Sequence, residues 1–392
     1  MVLGRSVYPL MRILYFSYAD LDTPSACQTH TLGVIRGMAA NGCQVDAVAP
    51  RPLFHQNEIP GVRFHYINPY CGKRRYLLRE IPYSALRLMA LCLHNRYDAI
   101  YARDMDVFIG TRLCSQLFRL PLYLEIDDTP IEGNYPAVIR GMVKANLRLD
   151  YRAAAGLIVP SVPRCQFIRD HYGTPVEKLH MILNGTELLT NDVVSKASAR
   201  ESLRLPLDSF CLGYVGTLSQ RYDFLTLLKA MVRCLERIPQ LRLIVVGGGP
   251  EAARIEKRIH ALGIADRVIM TGFLPQEALS GVLPAMDLGF MTLTREAVLE
   301  HGPIHTKLGT YGMFRLPVVS AGYSLDGYPL ETREALLLVP PGDDSVLAET
   351  IIHLHQNPAE RERIAIRLHD FVVRRLTWKA VAADILAIMR NS

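Results

Sequence analysis

The stretch FCLGYVGTLSQRYDFLTLLKAMVRCLERIPQLRLIVVGGG, residues 210–249, decides the fold. FCLGYVGTL is a short apolar run that reaches a glycine. YDFLTLLKAMVRCLERI then repeats Leu and Met at helical spacing, and LRLIVVGGG returns to an apolar run closed by three glycines. Strand, helix, strand with continuously apolar strands is the pattern of a parallel sheet covered on both faces.

Downstream the same grammar continues through PEAARIEKRIHALG, RVIMTGF, MDLGFMTL, LPVVSAG and ALLLVPPG. Upstream it has already run once, as RILYFSYA, TLGVIRGMAANG, QVDAVAP, DAIYARD and LPLYLEIDD, with Gly42 where a helix should stop. Between the two series, NGTELLTNDVVSKASARESLRLPLDS is polar and turn-rich and reads as a connector. The fold class expected is α/β: two facing, doubly wound, Rossmann-like parallel-sheet domains. Residues 11–185 form the first, 186–208 the linker, 209–376 the second, and 377–392 a closing helix that crosses back. In open α/β sheets ligands bind beyond the carboxyl ends of the strands, so chemistry is expected in a cleft that the two sheets share.

Composition agrees with two cores. At 392 residues, with 49% hydrophobic and 21% charged residues, the chain is globular and long enough for two to three domains. Eight cysteines stand singly, without CxxC spacing, which suits reduced core thiols and a cytoplasmic protein. The opening MVLGRSVYPL lacks an apolar stretch of signal-peptide length. A net charge of +6 is too dilute for a nucleic-acid footprint, and no nucleic-acid partner is expected. One basic cluster exists: Lys73, Arg74, Arg75, Arg79, Arg87 and Arg96 punctuate KRRYLLREIPYSALRLMALCLHNR. Such a segment rests on anionic lipid headgroups, making the protein peripheral on the inner face of a membrane, or else is a core-packed helix with a solvated basic flank.

With these elements in place the residues resemble a family. GLIVPSVPRCQFIRDHYGTPVEKLHMILNGTEL, residues 156–188, resembles the end of the first domain in retaining glycosyltransferases of family 4 (group 1), which have the GT-B fold. GYVGTLSQRYDFLTLLKAM (213–231) looks like the first strand, phosphate loop and helix of their donor domain, and LIVVGGGPE (243–251) like its glycine-rich strand end. RVIMTGFLPQEALSGVLPAMDLGFMTL (267–293) is similar to the nucleobase-side strand, and the terminal TWKAVAADILAIM to the closing helix.

The resemblance implies transfer of a hexosyl group from a nucleoside diphosphate sugar to a glycan or lipid-linked acceptor, as in polysaccharide biosynthesis, with retention and without a metal or cofactor. Backbone N–H groups at Gly216, Thr217 and Leu218 would cradle the diphosphate, aided by a helix dipole. Thr217 stands where the family often has an Arg, and Arg221 is the nearest cation. Gly247 and Gly248 would lie on the nucleotide side, and Gly272, Phe273 and Leu274 beside the base.

EHGPIHTKLGTYGMFRLPVVSAG (300–322) resembles the family's sugar- and ribose-binding segment, with Glu300, His301, Gly302, Pro303, Lys307, Leu308, Thr310 and Tyr311 as candidate donor contacts. Lys307 is the candidate phosphate contact. Thr310 replaces a Glu expected to hold the ribose diol, and a hydroxyl offers less to a diol than a carboxylate does. In YLEIDDTP (123–130) Asp127 stands where many relatives carry a His. Its carboxylate can accept an acceptor proton or stabilise positive charge at the anomeric carbon, or Asp127 and Asp128 simply cap the next element. Ser25 and Ala26, in DLDTPSACQTH, are small enough for close backbone approach, and Arg103 and Asp104 complete an acceptor wall or form a structural ion pair. Two other readings stay open: a sugar-nucleotide 2-epimerase of the same fold, and a non-catalytic partner subunit.

Overall fold

The computed structural model describes residues 11–23, 25–54, 58–70, 81–103, 108–127, 136–188 and 193–391. The chain forms two compact units, Met1–Gly185 with Trp378–Ser392, and Thr186–Thr377.

The first unit has seven parallel strands: β1 (Arg12–Ser17), β2 (Gln44–Pro50), β3 (Val62–Ile67), β4 (Ala99–Arg103), β5 (Leu122–Glu125), β6 (Gly156–Val159) and β7 (Leu179–Met181). Their order is β3-β2-β1-β4-β5-β6-β7, so the sheet reverses direction of build at β1/β4. Helices α1 (Ala26–Ala40), α2 (Ile81–His94), α3 (Ile109–Phe118), α4 (Ala137–Ala153) and α5 (Val162–Tyr172) connect them. Because strand side chains alternate, Leu14 and Phe16 enter one core with Leu88, Cys114, Val143 and Leu147 from α2, α3 and α4. Ile13 and Tyr15 enter the other, with Val34 and Met38 of α1.

The second unit has six parallel strands, β8 (Phe210–Val215), β9 (Leu241–Val246), β10 (Val268–Gly272), β11 (Leu288–Met291), β12 (Val318–Ala321) and β13 (Leu336–Val339), ordered β10-β9-β8-β11-β12-β13. Its helices are α6 (Lys196–Ser202), α7 (Phe224–Cys234), α8 (Ala252–Ala261), α9 (Arg295–His301), α10 (Lys307–Met313), α11 (Glu331–Ala335), α12 (Asp344–Gln356) and α13 (Pro358–Phe371). The polar stretch read as a connector is part of this unit. It carries α6, whose buried Arg200 pairs with Asp287 at 2.7 Å, and Asp287 also accepts from the Cys211 amide at 2.7 Å. Residues 189–192 of that stretch lie outside the described residues.

After a π-turn at Val372–Leu376 the chain returns to the first unit as α14 (Trp378–Asn391). Trp378 is the fixed point of that return. A Cβ on Gly33 would stand 2.2 Å from its indole, one on Gly185 2.3 Å, and one on Gly37 2.2 Å from its carbonyl oxygen, so three glycines make room for it. Val381, Ile385 and Leu386 extend the contact over the β1 face. Cys71 lies outside the described residues, and none of the other seven cysteines is in a disulfide. Among the described residues no helix is long and apolar enough to cross a membrane.

Candidate functional site

Each sheet reverses its order at one point, β1/β4 and β8/β11, and beyond the carboxyl ends of those strands both units hold buried charge.

In the second unit the turn after β8 is built from glycines that a side chain would obstruct. Gly216 and Gly247 have φ of +126° and +141°, and a Cβ on Gly247 would lie 2.0 Å from the Gly216 carbonyl oxygen. The amides of Gly216 and Leu218 donate to Val246 and Gly248, both at 2.8 Å, and that of Gly247 to Gly272 at 2.8 Å. Two of the three amides expected to cradle a diphosphate are therefore committed to neighbouring strand ends. Thr217 is exposed between them. Phe273 stands exposed with its ring over Gly248, where a Cβ would come within 3.2 Å, and Leu274 is half-buried.

Into this turn comes Lys307, the first residue of α10. A Cβ on Gly216 would lie 2.7 Å from its Cε, so the glycine admits the lysine. The buried ammonium donates to the Tyr214 hydroxyl at 2.5 Å and lies 3.9 and 3.4 Å from the centroids of the Tyr214 and Tyr222 rings. The Tyr214 hydroxyl in turn donates to the Thr217 carbonyl at 2.8 Å, linking lysine to turn. Burial holds the lysine pKa well below its ordinary value. Among the described residues no carboxylate pairs with it.

The rest of 300–311 divides by helix face. Leu308 and Tyr311 face the core rather than a ligand: both are buried, and the Tyr311 hydroxyl accepts from the Val215 amide at 2.9 Å and donates to the Phe290 carbonyl at 3.1 Å. α10 thus turns the Tyr311 side chain onto β8 and β11. Thr310 is half-buried. Glu300 lies 3.3 Å from the buried His301, Gly302 ends α9 at φ +79°, and the Pro303 carbonyl accepts from Ser320 at 2.7 Å. Arg221 is exposed, its carbonyl held by the Thr294 amide at 2.9 Å, while its neighbour Tyr222 turns onto Lys307.

In the first unit, Ser25 caps α1 through the Gln28 amide at 3.1 Å, and both Ser25 and Ala26 are exposed. One turn further, His30 is buried. Its Nε2 meets Glu125 Oε1 at 2.5 Å and its Nδ1 lies 3.6 Å from Asp127 Oδ2. Arg103, 2% exposed at the end of β4, pairs with Asp127, lies 3.4 Å from Glu125 and donates to Thr31 at 2.8 Å. Arg164 of α5 donates to the Asp127 carbonyl. Burial alone would raise the Asp127 pKa, but the Arg103 and His30 charges overcome it and hold the carboxyl down at about 2. A carboxylate of that acidity is a weak proton acceptor. Asp104 and Asp128 lie outside the described residues.

His30, Glu125 and Asp127 offer ligand atoms within 4.8 Å of one another. The two carboxylates address opposite ring nitrogens of His30, and the Arg103 guanidinium is hydrogen-bonded to Asp127 and lies 3.4 Å from Glu125, so an ion would compete with the guanidinium for both. The group is better described as an imidazole and a guanidinium held between two carboxylates.

His30, Glu125, Arg164, Tyr214 and Tyr222 were not singled out from sequence. His30 stood in the quoted DLDTPSACQTH, and the small pair one turn before it was the available signal.

Two family models match in tandem. The model for Glycosyltransferase Family 4 covers residues 27–188, and that for Glycosyl transferases group 1 covers residues 195–367. An uncharacterized glycosyltransferase of Methanocaldococcus jannaschii is 24% identical over 66% of this chain and 68% of its own. Phosphatidyl-myo-inositol mannosyltransferase of Mycobacterium tuberculosis is 23% identical over 96% of both chains. Anabaena HepE, solved in complex with UDP, superposes with a TM-score of 0.71 at 19% identity, over 97% of this chain and 100% of that one. Two parallel α/β units with these matches define an enzyme of the GT-B fold. The chain is a group 1 glycosyltransferase. With that, the reading as a non-catalytic subunit is withdrawn.

Proposed function

We propose that the enzyme transfers a hexosyl group from a nucleoside diphosphate sugar to a glycan or lipid-linked acceptor, with retention and without a metal ion, at the cytoplasmic face of a membrane. The observation that carries the donor half is Lys307: a buried ammonium at a glycine turn, solvated by two phenols and by no carboxylate among the described residues. A buried cation without a counter-anion is costly unless an anion arrives. A diphosphate supplies that anion and, as leaving group, gains most from a fixed positive charge when the glycosidic bond breaks. In this scheme Lys307 takes the developing phosphate charge, and the ionised Asp127 opposes positive charge at the anomeric carbon.

Anabaena HepE has been solved with UDP-glucose, which supports a uridine donor, and the mycobacterial relative is named for a lipid acceptor. Of the basic cluster at 73–96, Lys73, Arg74, Arg75 and Arg79 lie outside the described residues, while Arg87 and Arg96 are exposed. Calorimetry against UDP, GDP, ADP and TDP sugars tests the donor half: tight binding of one sugar nucleotide by wild type, lost in Lys307→Met, is expected. No binding to folded protein overturns it. NMR of the first-formed product anomer tests retention.

A further inference from the structure

Helix α4 carries two apolar stripes. Val143, Leu147 and Tyr151 enter the core. Val138, Met142 and Leu149, at spacings of four and seven, stand on the opposite side and are 76%, 68% and 50% exposed. A helix apolar on two sides needs a second covering. Lys144, Arg148 and Arg152, each four residues from the last, climb one flank of the helix toward the outward stripe, and Arg140 begins the row on the core-facing side.

The neighbours extend this face. α3 packs beside α4 and exposes Leu113 and Leu117, and α2 packs beside α3 and exposes Tyr83, Leu86 and Leu93. The three helices together hold six Lys and Arg (Arg87, Arg112, Arg140, Lys144, Arg148, Arg152) against one acid, Asp150. Asp150 is buried and pairs with Arg112 at 2.7 Å, so no exposed acid remains on any of them. Exposed aliphatic side chains among bases, with no acid between, match a surface that is apolar within and anionic at its rim.

We propose that the outer face of α2, α3 and α4, centred on Val138, Met142 and Leu149, is a docking surface for an anionic lipid bilayer. None of the three helices is long and apolar enough to cross a membrane, so the face lies on the bilayer. Because α4 follows β5, its exposed N-terminal turns begin at the carboxyl edge of the sheet, the edge that carries Asp127. An acceptor anchored in the same leaflet is thereby brought to that edge. The inference names the partner surface that a lipid-linked acceptor requires, and it rests on the acceptor reading for its purpose alone.

The test uses the full chain with phosphatidylcholine vesicles, with and without phosphatidylglycerol, in a sedimentation assay at low and high salt. Wild type is expected to sediment with the anionic vesicles only, and less at high salt. Lys144→Ser/Arg148→Ser/Arg152→Ser should lower partitioning by roughly a hundredfold, and Met142→Gln/Leu149→Gln should lower it at both salt concentrations. Thermal melts and calorimetric UDP binding of both variants should match wild type, which separates a docking defect from misfolding or a failed donor site. Absence of binding to anionic vesicles, equal binding to neutral ones, or unchanged partitioning of both variants overturns the proposal. So does a dimer, seen by analytical ultracentrifugation without lipid, that these substitutions dissociate, because the face would then bind a second copy.

Discussion

Lys307 Nζ lies 3.4 Å from the centre of the Tyr222 ring, so an aromatic face does for this buried ammonium what a carboxylate usually does. Tyr222→Phe keeps that face and should bind UDP within about threefold of wild type. Tyr222→Leu removes it, and with about 0.5–2 kcal/mol at stake should weaken UDP roughly 3- to 30-fold by calorimetry. Equal affinities for the two variants would sink the assignment.

The same lysine makes stability depend on pH. Burial lowers its folded pKa below the ordinary value of about 10.4, so between the two values the unfolded chain holds more protons. Stability therefore rises with pH through that window. Lys307→Met should flatten the rise in melting temperature on the alkaline side of neutrality, while costing at least about tenfold in UDP affinity, the scale of one charged hydrogen bond. A variant that keeps the wild-type slope rules out Lys307 as its source.

Asp127 gives the same sign in a lower window, because there the fold favours the charged form instead of penalising it. With its pKa depressed to about 2, its contribution to stability is complete above the unfolded value of about 3.9 and is lost as pH falls toward 2. Asp127→Asn should cost about 3 kcal/mol in urea unfolding, the low end for breaking a buried pair, because Glu125 still faces Arg103. The fully ionised carboxylate adds no acid limb to the rate profile from about pH 4 to 7. A limb in that range that disappears in Asp127→Asn would show it acting as a base.

Gly33 and Gly141 make a matched pair of glycine-to-alanine changes. At Gly33 the new Cβ meets Trp378 at 2.2 Å, and Gly33→Ala should destabilise the first unit by at least about 1–3 kcal/mol. At Gly141, in the exposed first half of α4, nothing lies within 4 Å, and Gly141→Ala should add about 0.5–1 kcal/mol. Trp378 is the one tryptophan in the chain, so its fluorescence reports the unfolding of this unit. Equal shifts for both variants would contradict the packing described.

Sequence periodicity located β1, β2, β4, β5 and all six strands of the second unit because each is a short, mainly apolar run between turn residues. VRFHYI (62–67) and LHM (179–181), which became β3 and β7, were missed because Arg63 and His65 interrupt the first and the second is only three residues long. α6 was hidden because what fixes it is the Arg200–Asp287 pair, and charged residues spaced 87 apart carry no periodic signal. Lys307 was legible from its motif. The phenols around it were not, since Tyr214 and Tyr222 look like ordinary core aromatics until β8 and the following turn fold over α10. His30 and Glu125 became a pair only when the sheet set α1 beside β5, 95 residues apart.

The first unit is discontinuous: residues up to Gly185 wait for Trp378–Ser392, with Thr186–Thr377 in between. During synthesis the second unit therefore leaves the ribosome complete before the first can close. Until α14 arrives, Gly33, Gly37 and the apolar side of α1 have no cover, and the nascent chain carries an open hydrophobic seam through the making of 192 further residues. A stop codon just before Trp378 would leave the donor half folded and the other half a client for chaperones.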